Sequence, residues 1–220
     1  MFYLGFFAAL LFCVNPFTLN LSLAKEQKVF PVIYFDNKII TNIDIEIAKK
    51  IAIATNPAFQ DIIKSKDPNA DKIITKNISE SIIENLTKAK YAKKALASLD
   101  VANFNETSIK YCKDVIESNN NLSFIKDGDA YYKYLCEFLK NDIIWSSFVS
   151  NSIARSIVVS KNEIDIFLKT HLNYSRQDAE VKIRSEKQQT QVNSLLEDTK
   201  AFTFVKNLSD NYLSDATNAI

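Results

Sequence analysis

Few side chains in this chain of 220 residues could take part in covalent or acid–base catalysis. The one histidine, His171, lies in a polar stretch, and a nucleophilic serine or cysteine would need a base of this kind beside it. Cys112, Cys136 and His171 are too few and too scattered for a closed zinc site, and the sequence has no Cys-x-x-Cys motif. We therefore expect no enzymatic activity, no metal and no cofactor.

Glycine content and charge exclude further classes of function. Only Gly5 and Gly128 occur, whereas phosphate-binding loops and nucleophile elbows need glycine at positive φ or at close backbone approaches. The 27 Lys and Arg nearly balance the 26 Asp and Glu, whereas nucleic-acid-binding domains carry a basic excess. We expect neither a nucleic acid nor a small-molecule substrate. The densest basic cluster is interpreted as a solvated helix face and comprises Lys88, Lys90, Lys93 and Lys94.

Aromatic side chains are the best candidates for binding a partner. A long helix predicted over residues 129–153 has one mainly aliphatic stripe and one aromatic stripe, and a helix apolar on two faces either packs between neighbours or displays one face. Core packing is the commoner outcome. The alternative is a surface for extended apolar polypeptides, because rings give large contact area for little loss of entropy. The aromatic stripe consists of Tyr134, Phe138, Trp145 and Phe148.

Cys112 and Cys136 admit two interpretations. They are 24 residues apart on predicted neighbouring helices, and in an oxidising compartment an even number of cysteines permits a disulfide. A bridge requires Cα atoms within about 7 Å, which the helical pattern does not guarantee. We therefore favour two small buried thiols and keep the disulfide as the alternative.

Residues 1–24 have the layout of a secretory signal peptide. They contain no charged residue, and an apolar run over residues 2–14 is followed by Pro16 and by the small-x-small sequence Ser22-Leu23-Ala24. The apolar run is short for a spanning helix, which needs about 20 residues. Because the segment lacks Lys and Arg, an uncleaved membrane anchor remains the alternative to cleavage before Lys25.

The mature chain is predicted to begin with a β-hairpin and to continue as helices. β-Branched and aromatic residues over 29–36, followed by a turn and a short return strand, predict the hairpin. Thr41 with Asp44, and Ser160 with Glu163, have the spacing of capping boxes that begin helices. The helical segments are then predicted over residues 43–54, 56–67 (weakly), 78–99, 106–117, 129–153, 161–168 and 177–208.

The last predicted helix needs a groove to cover its apolar face. A nearly seven-residue repeat runs along its second half, formed by Val192, Leu195, Thr199, Phe202 and Val205. The sequence thus predicts a mainly α fold, a multi-helix orthogonal bundle with a short N-terminal β-hairpin and a C-terminal helix packed back on the core.

Four stretches in this order resemble the core of SurA-type periplasmic chaperones. The first, residues 32–45, combines a strand, a tight turn and the sequence Ile40-Thr41-Asn42-Ile43-Asp44 before a helix. The others are residues 82–101, residues 131–164 with the segment Val159-Ser160-Lys161-Asn162-Glu163-Ile164, and residues 192–208. The resemblance implies a domain over residues 25–220, with its core at 29–170 and its C-terminal helix at 178–208.

The resemblance also implies a function. Members of this family usually carry parvulin-like isomerase domains before the final helix, whereas here residues 170–175 lead directly into it. We therefore expect an ATP-independent periplasmic holding chaperone without prolyl isomerase activity, whose partners are unfolded outer-membrane or secreted polypeptides. The alternative is an interaction or scaffold protein with the same fold, periplasmic or anchored at the membrane surface by residues 1–24.

Overall fold

The structure, a computed structural model, describes residues 28–95 and 101–209. The predicted signal segment, residues 1–24, lies outside the described residues. The fold is mainly α with a short N-terminal hairpin, as predicted. The helices are α1 (Asn42–Thr55), α2 (Pro57–Lys64), α3 (Ala70–Ala95), α4 (Val101–Ser118), α5 (Ala130–Phe148), α6 (Ala154–Ser156), α7 (Lys161–Thr170) and α8 (Arg176–Ala201); a 3₁₀ turn (Asn120–Leu122) precedes α5, and a π-helical turn (Val149–Ile153) joins α5 to α6.

The hairpin is part of a three-stranded antiparallel sheet. The strands are β1 (Pro31–Phe35), β2 (Lys38–Thr41) and β3 (Val205–Asn207), in the order β2-β1-β3. In the tight β1–β2 turn, Asp36 adopts a positive φ of 47°, which Asp tolerates better than most residues. β3 lies beside β1, so the first and last described parts of the chain share one sheet.

Both predicted capping boxes are present. The Thr41 hydroxyl accepts from the Asp44 amide while the Asp44 carboxylate accepts from the Thr41 amide, at 3.4 and 2.8 Å. Ser160 and Glu163 repeat the arrangement at 3.2 and 2.8 Å. Each pair satisfies amides that the first turn of a helix leaves without a partner, which fixes where α1 and α7 begin.

Two apolar clusters hold the sheet and the long helices together. The first joins β1 to one face of α1 and α3, and the second joins α3 and α5 to the second half of α8. The C-terminal helix therefore packs back on the core, as predicted. The buried residues are Val32, Ile33, Ile45, Ala48, Ile74, Ile78 and Ile82 in the first cluster, and Ala92, Ile144, Trp145, Phe148, Ile153 and Ile157 in the second.

Two predicted helix starts were too late. α3 begins at Ala70 rather than near Ile78, because Asp67 accepts from the Asn69 amide at 2.8 Å and turns the chain directly into the helix. α4 begins at Val101 rather than near residue 106. On α4, Ser108 and Cys112 are buried, whereas Ile109 is 49% exposed.

The predicted end of the last helix was also wrong. α8 ends at Ala201 rather than near Leu208, and Phe202, predicted to be on its apolar face, is 86% exposed. The Lys90 ammonium donates to the Phe202 carbonyl at 3.3 Å and to the Thr203 hydroxyl at 3.1 Å. The next residues form β3, whose backbone hydrogen bonds with β1 replace those a longer helix would have made.

Cys112 and Cys136 form a disulfide in the structure, with Cα atoms 5.3 Å apart. Our preference for two separate thiols was therefore wrong. The helical pattern hid the proximity because α4 and α5 lie side by side, with Cys112 fully buried between them. The bridge belongs to a third apolar cluster, whose other buried residues are Ile47, Ile51, Leu122, Ile125 and Leu135.

No helix within residues 28–95 and 101–209 combines the length and the apolar character that a membrane-spanning helix requires.

Candidate functional site

The predicted aromatic stripe divides into a buried half and a half that lines a cavity. Trp145 and Phe148 belong to the core, with 8% and 6% of their surface exposed. Tyr91 packs edge-on against both, with ring centroids 6.5 Å from Trp145 and 5.2 Å from Phe148. For Trp145 and Phe148, core packing is therefore correct and the alternative of a polypeptide-binding surface is wrong, because α3 and α8 cover this face of α5.

Tyr134 and Phe138 are only partly buried and stack with their ring centroids 6.3 Å apart. They line a cavity of about 280 Å³ enclosed by α1, α3, α4 and α5, where nearly all neighbours are aliphatic. Burial raises the pKa of the Tyr134 hydroxyl, and the Asp44 charge adds to the shift. The hydroxyl therefore stays protonated and the cavity stays uncharged on this side.

A larger concave surface, the α3–α8 cleft, runs between those two helices and continues to α5. One part has a volume of about 680 Å³ and the adjoining part about 300 Å³, and the two share Glu84, Asn193 and Leu196. Trp145 lies at the base of the smaller part. The remaining lining residues are Glu80, Ile83, Thr87, Glu197 and Lys200 in the larger part, and Lys88, Val149, Ser185, Gln188, Gln189 and Val192 in the smaller part.

The cleft combines apolar side chains with amides on α8 and with charged side chains, among them Glu84 and Lys88, which pair with each other. Val192 and Leu196 on α8 are half-buried, whereas Gln189 and Asn193 are exposed and joined by a 2.8 Å hydrogen bond from Nε2 to Oδ1. An amide side chain both donates and accepts, so these amides can pair with the N–H and C=O groups of any extended backbone. The apolar base can receive side chains of varied shape.

A helical arm forms the second candidate surface. We define the arm as residues 161–187, which comprise α7 and the first half of α8. Its small core consists of Ile164, Ala179 and Ile183. Apolar side chains nevertheless remain on its outside, with Leu172 86% exposed and Val181 62% exposed. Such side chains retain the free energy that burial against a partner would release, about 1.5–3 kcal/mol for a full Val or Leu side chain.

The tip of the arm is an aromatic cluster around the only histidine. The His171 ring stacks on Phe167 with centroids 4.0 Å apart, and Tyr174 meets both rings edge-on. Nδ1 of His171 lies 2.9 Å from the Thr170 hydroxyl and 3.1 Å from the Phe167 carbonyl oxygen. These contacts order the turn and leave Leu172 projecting into solvent.

The base of the arm is fixed by cations of α8. Arg184 donates to the Ile157 carbonyl and Lys187 to the Val158 carbonyl, each at 2.9 Å. Lys187 also pairs with Glu163 at the start of α7. The hydrogen bond from Lys187, together with those from Ser160, lowers the pKa of Glu163 to about 2. Arg184 and Lys187 thus join the arm to the segment before it, while the Glu163–Lys187 pair joins α7 to α8 inside the arm.

Sequence reasoning missed the arm as a candidate surface. The usable signals were local: Leu172 stands alone between His171 and Asn173, and Val181 stands between Glu180 and Lys182. A single apolar residue in a polar setting is exposed when the helix buries another face, and here Ala179 and Ile183 define that face.

Three further observations bear on chemistry and kinship. Within residues 28–95 and 101–209, no group of three or more His, Cys, Asp or Glu side chains is placed to hold a metal ion. His171 contacts the Thr170 hydroxyl and two aromatic rings. No family model matches the chain, and no curated protein matches it at a significant level of similarity.

Proposed function

We propose that this protein is an ATP-independent holding chaperone that binds unfolded polypeptides of the bacterial envelope through the α3–α8 cleft. The observation that carries the proposal is the pairing of an apolar base, including Leu196, with the exposed amides of Gln189 and Asn193. Backbone groups are common to all unfolded chains, so amides that pair with them recognise no particular sequence. Apolar contacts supply the affinity.

The arm adds apolar contact beyond the cleft. α8 contributes to both surfaces, so a polypeptide leaving the cleft along this helix meets Val181 and then Leu172 at the tip. The arm contains six basic and five acidic residues, and its ion pairs include Arg176 with Asp165 and Arg184 with Glu180. A nearly neutral arm neither attracts nor repels clients by charge, which suits clients of varied composition.

The proposed action is reversible capture followed by release. Unfolded β-rich polypeptides expose apolar strands that pair with one another and aggregate. A client held in the cleft is kept apart from other clients, and release requires no bond cleavage or nucleotide hydrolysis. The location in the periplasm and the preference for outer-membrane or secreted polypeptides are part of the same proposal.

Filling the cleft tests the proposal. Asn193→Trp places an indole where the two parts of the cleft meet, while Gln191→Trp, two residues away on the exposed surface of α8, provides the matched control. Asn193→Trp should weaken binding of urea-unfolded outer-membrane proteins at least about tenfold, which corresponds to about 1.4 kcal/mol. Gln191→Trp should leave binding unchanged, and both variants should unfold at the temperature of the parent protein.

The outcomes separate a chaperone from a scaffold protein. Equal suppression of aggregation by Asn193→Trp and the parent protein would place the binding surface elsewhere. A parent protein that binds no unfolded polypeptide, and instead retains one folded envelope protein with a fixed stoichiometry, would replace the chaperone proposal with the scaffold alternative.

A further inference from the structure

A notch beside the β1–β2 turn is lined by charged side chains that do not belong to the α3–α8 cleft. Its volume is about 210 Å³, below the roughly 300–1,000 Å³ of typical small-molecule sites. It has room for one residue of a peptide rather than for a cofactor-sized ligand. The lining residues are Phe35, Asp36, Asn37, Lys38, Leu86, Ala89, Lys90, Lys93 and Asn141.

The two lysines that α3 contributes to the notch differ in their partners. Lys90 pairs with Asp36 at 2.7 Å and also donates to the Phe202 carbonyl and the Thr203 hydroxyl. Lys93, almost one helical turn later, has a single 3.4 Å contact with Oδ1 of Asn141 and no ion pair with the described part of the chain. The Lys93 ammonium therefore has donors to spare.

Charges of both signs surround Lys93. Desolvation lowers the pKa of Lys93, the charge of Glu137 opposes this shift, and the charges of Lys38 and Lys140 add to it. Glu137 is itself shared, since Lys38 and Lys140 lie 3.9 and 3.8 Å from its two carboxylate oxygens. An added anion at Lys93 would thus meet ammonium groups that the protein's own carboxylates do not fully neutralise.

Asn141 is fixed so that its oxygen faces Lys93. It is 2% exposed, and its amide Nδ2 donates to Oδ1 of Asn85 at 2.9 Å. Asn85 in turn donates to Asp142 at 2.9 Å and to the Phe138 carbonyl at 3.2 Å. The bond to Asn85 uses one of the two Nδ2 hydrogens of Asn141 and orients the amide so that its Oδ1 accepts from Lys93. Lys93 is therefore the cationic donor that this side of the notch offers to a ligand.

The base of the notch is apolar. Phe35 and Ala89 are 5% and 3% exposed, and Leu86 is half-buried beside them. An unpaired ammonium above an apolar base fits a ligand with one negative charge next to an apolar side chain. The last residue of a polypeptide, with its α-carboxylate, has that form, and such carboxylates are recurrent targets of peptide recognition.

We propose that the Lys93 notch binds the C-terminal carboxylate of an unfolded polypeptide, with the last side chain resting on Phe35, Leu86 and Ala89. This inference rests on the proposed function, since it names the part of the client that a second site receives. The carboxylate accepts a charge-assisted hydrogen bond from Lys93. Lys90 remains paired with Asp36 and is not displaced.

The test compares two forms of one short apolar peptide ending in Phe, one with a free C-terminal carboxylate and one with a C-terminal amide. Fluorescence anisotropy on the full purified protein should show the free acid binding about tenfold more tightly. Lys93→Gln should abolish this preference. Lys94→Gln, a neighbouring exposed lysine that lines a different groove, should preserve it.

Each other outcome overturns a stated part of the argument. Equal binding of acid and amide rejects carboxylate capture while leaving the chaperone proposal in place. A preference that survives Lys93→Gln removes the notch from the site. An amidated peptide with an internal glutamate that binds as tightly as the free acid rejects the assignment to the chain terminus. Failure of both peptides and of unfolded proteins to bind overturns the chaperone proposal itself.

Folding controls are available for the notch. Lys93 is exposed and has no ion pair with the described part of the chain, so Lys93→Gln should melt close to the parent protein. A lower melting temperature would assign Lys93 a structural role. Lys93→Arg then decides the matter, because it keeps a cation and should keep the preference for the free acid.

Discussion

The body of the molecule and its arm are built by different means. In the body, β1 and α1 to α5 enclose three apolar clusters and a disulfide. In the arm, only Ile164, Ala179 and Ile183 form a core, and charged side chains hold the base. Apolar residues therefore have different roles in the two regions. Those of the body stabilise the fold, whereas the exposed ones on the arm remain available to a partner.

Paired truncations should show the largest contrast between these regions. Trp145→Ala in the body should lower the free energy of unfolding by about 3–5 kcal/mol, because the indole is buried against Tyr91 and Phe148. Leu172→Ala at the arm tip should change it by no more than about 0.5 kcal/mol. Urea unfolding followed by circular dichroism measures both. Similar losses for the two variants would contradict the division into body and arm.

Reducing the Cys112–Cys136 disulfide should have the next largest effect. The bridge closes a loop with a sequence separation of 24 residues, for which the chain-entropy relation gives about 3.5 kcal/mol. Dithiothreitol should therefore lower the melting temperature of the parent protein. The double variant Cys112→Ala and Cys136→Ala supplies the control, since dithiothreitol should not shift its melting temperature. A shift of equal size in both proteins would mean that the reductant acts elsewhere.

Lowering the pH should have the smallest of these effects. It should weaken the ion pair between Glu163 on α7 and Lys187 on α8. The pKa of Glu163 is lowered to about 2, mainly by the hydrogen bond from Lys187. A depressed pKa of an acid stabilises the folded state above the unfolded value and loses that contribution as the pH falls towards 2. Carboxyl chemical shifts of Glu163 should titrate with a midpoint near this value, and Lys187→Met should raise it. An unchanged midpoint would exclude the contact in solution.

Local chemistry explains what the sequence predicted correctly. Thr41 with Asp44 and Ser160 with Glu163 define helix starts within four residues, and such short-range signals do not depend on the rest of the fold. The β1–β2 hairpin was likewise predicted from neighbouring residues. The helical character of most of the chain followed from the spacing of apolar side chains.

Long-range contacts explain what was missed. β3 forms because β1 offers it an open edge, and nothing in residues 205–207 indicates a strand without β1. Trp145 and Phe148 are core because α3 and α8 cover them, which the pattern on α5 alone left undecided. The α3–α8 cleft was not predicted for the same reason, since its walls come from three helices far apart in sequence.

Because β1 lies between β2 and β3, the sheet can form in full only after β3 has been synthesised. Ile33 is paired with Asn207, and the Leu208 amide donates to the Val32 carbonyl at 2.7 Å. During synthesis, which proceeds from the N-terminus at about 5–20 residues per second, the second edge of β1 therefore stays uncovered until residues 205–208 have been made. A protein proposed to shelter the unpaired strands of others has such a strand of its own until then.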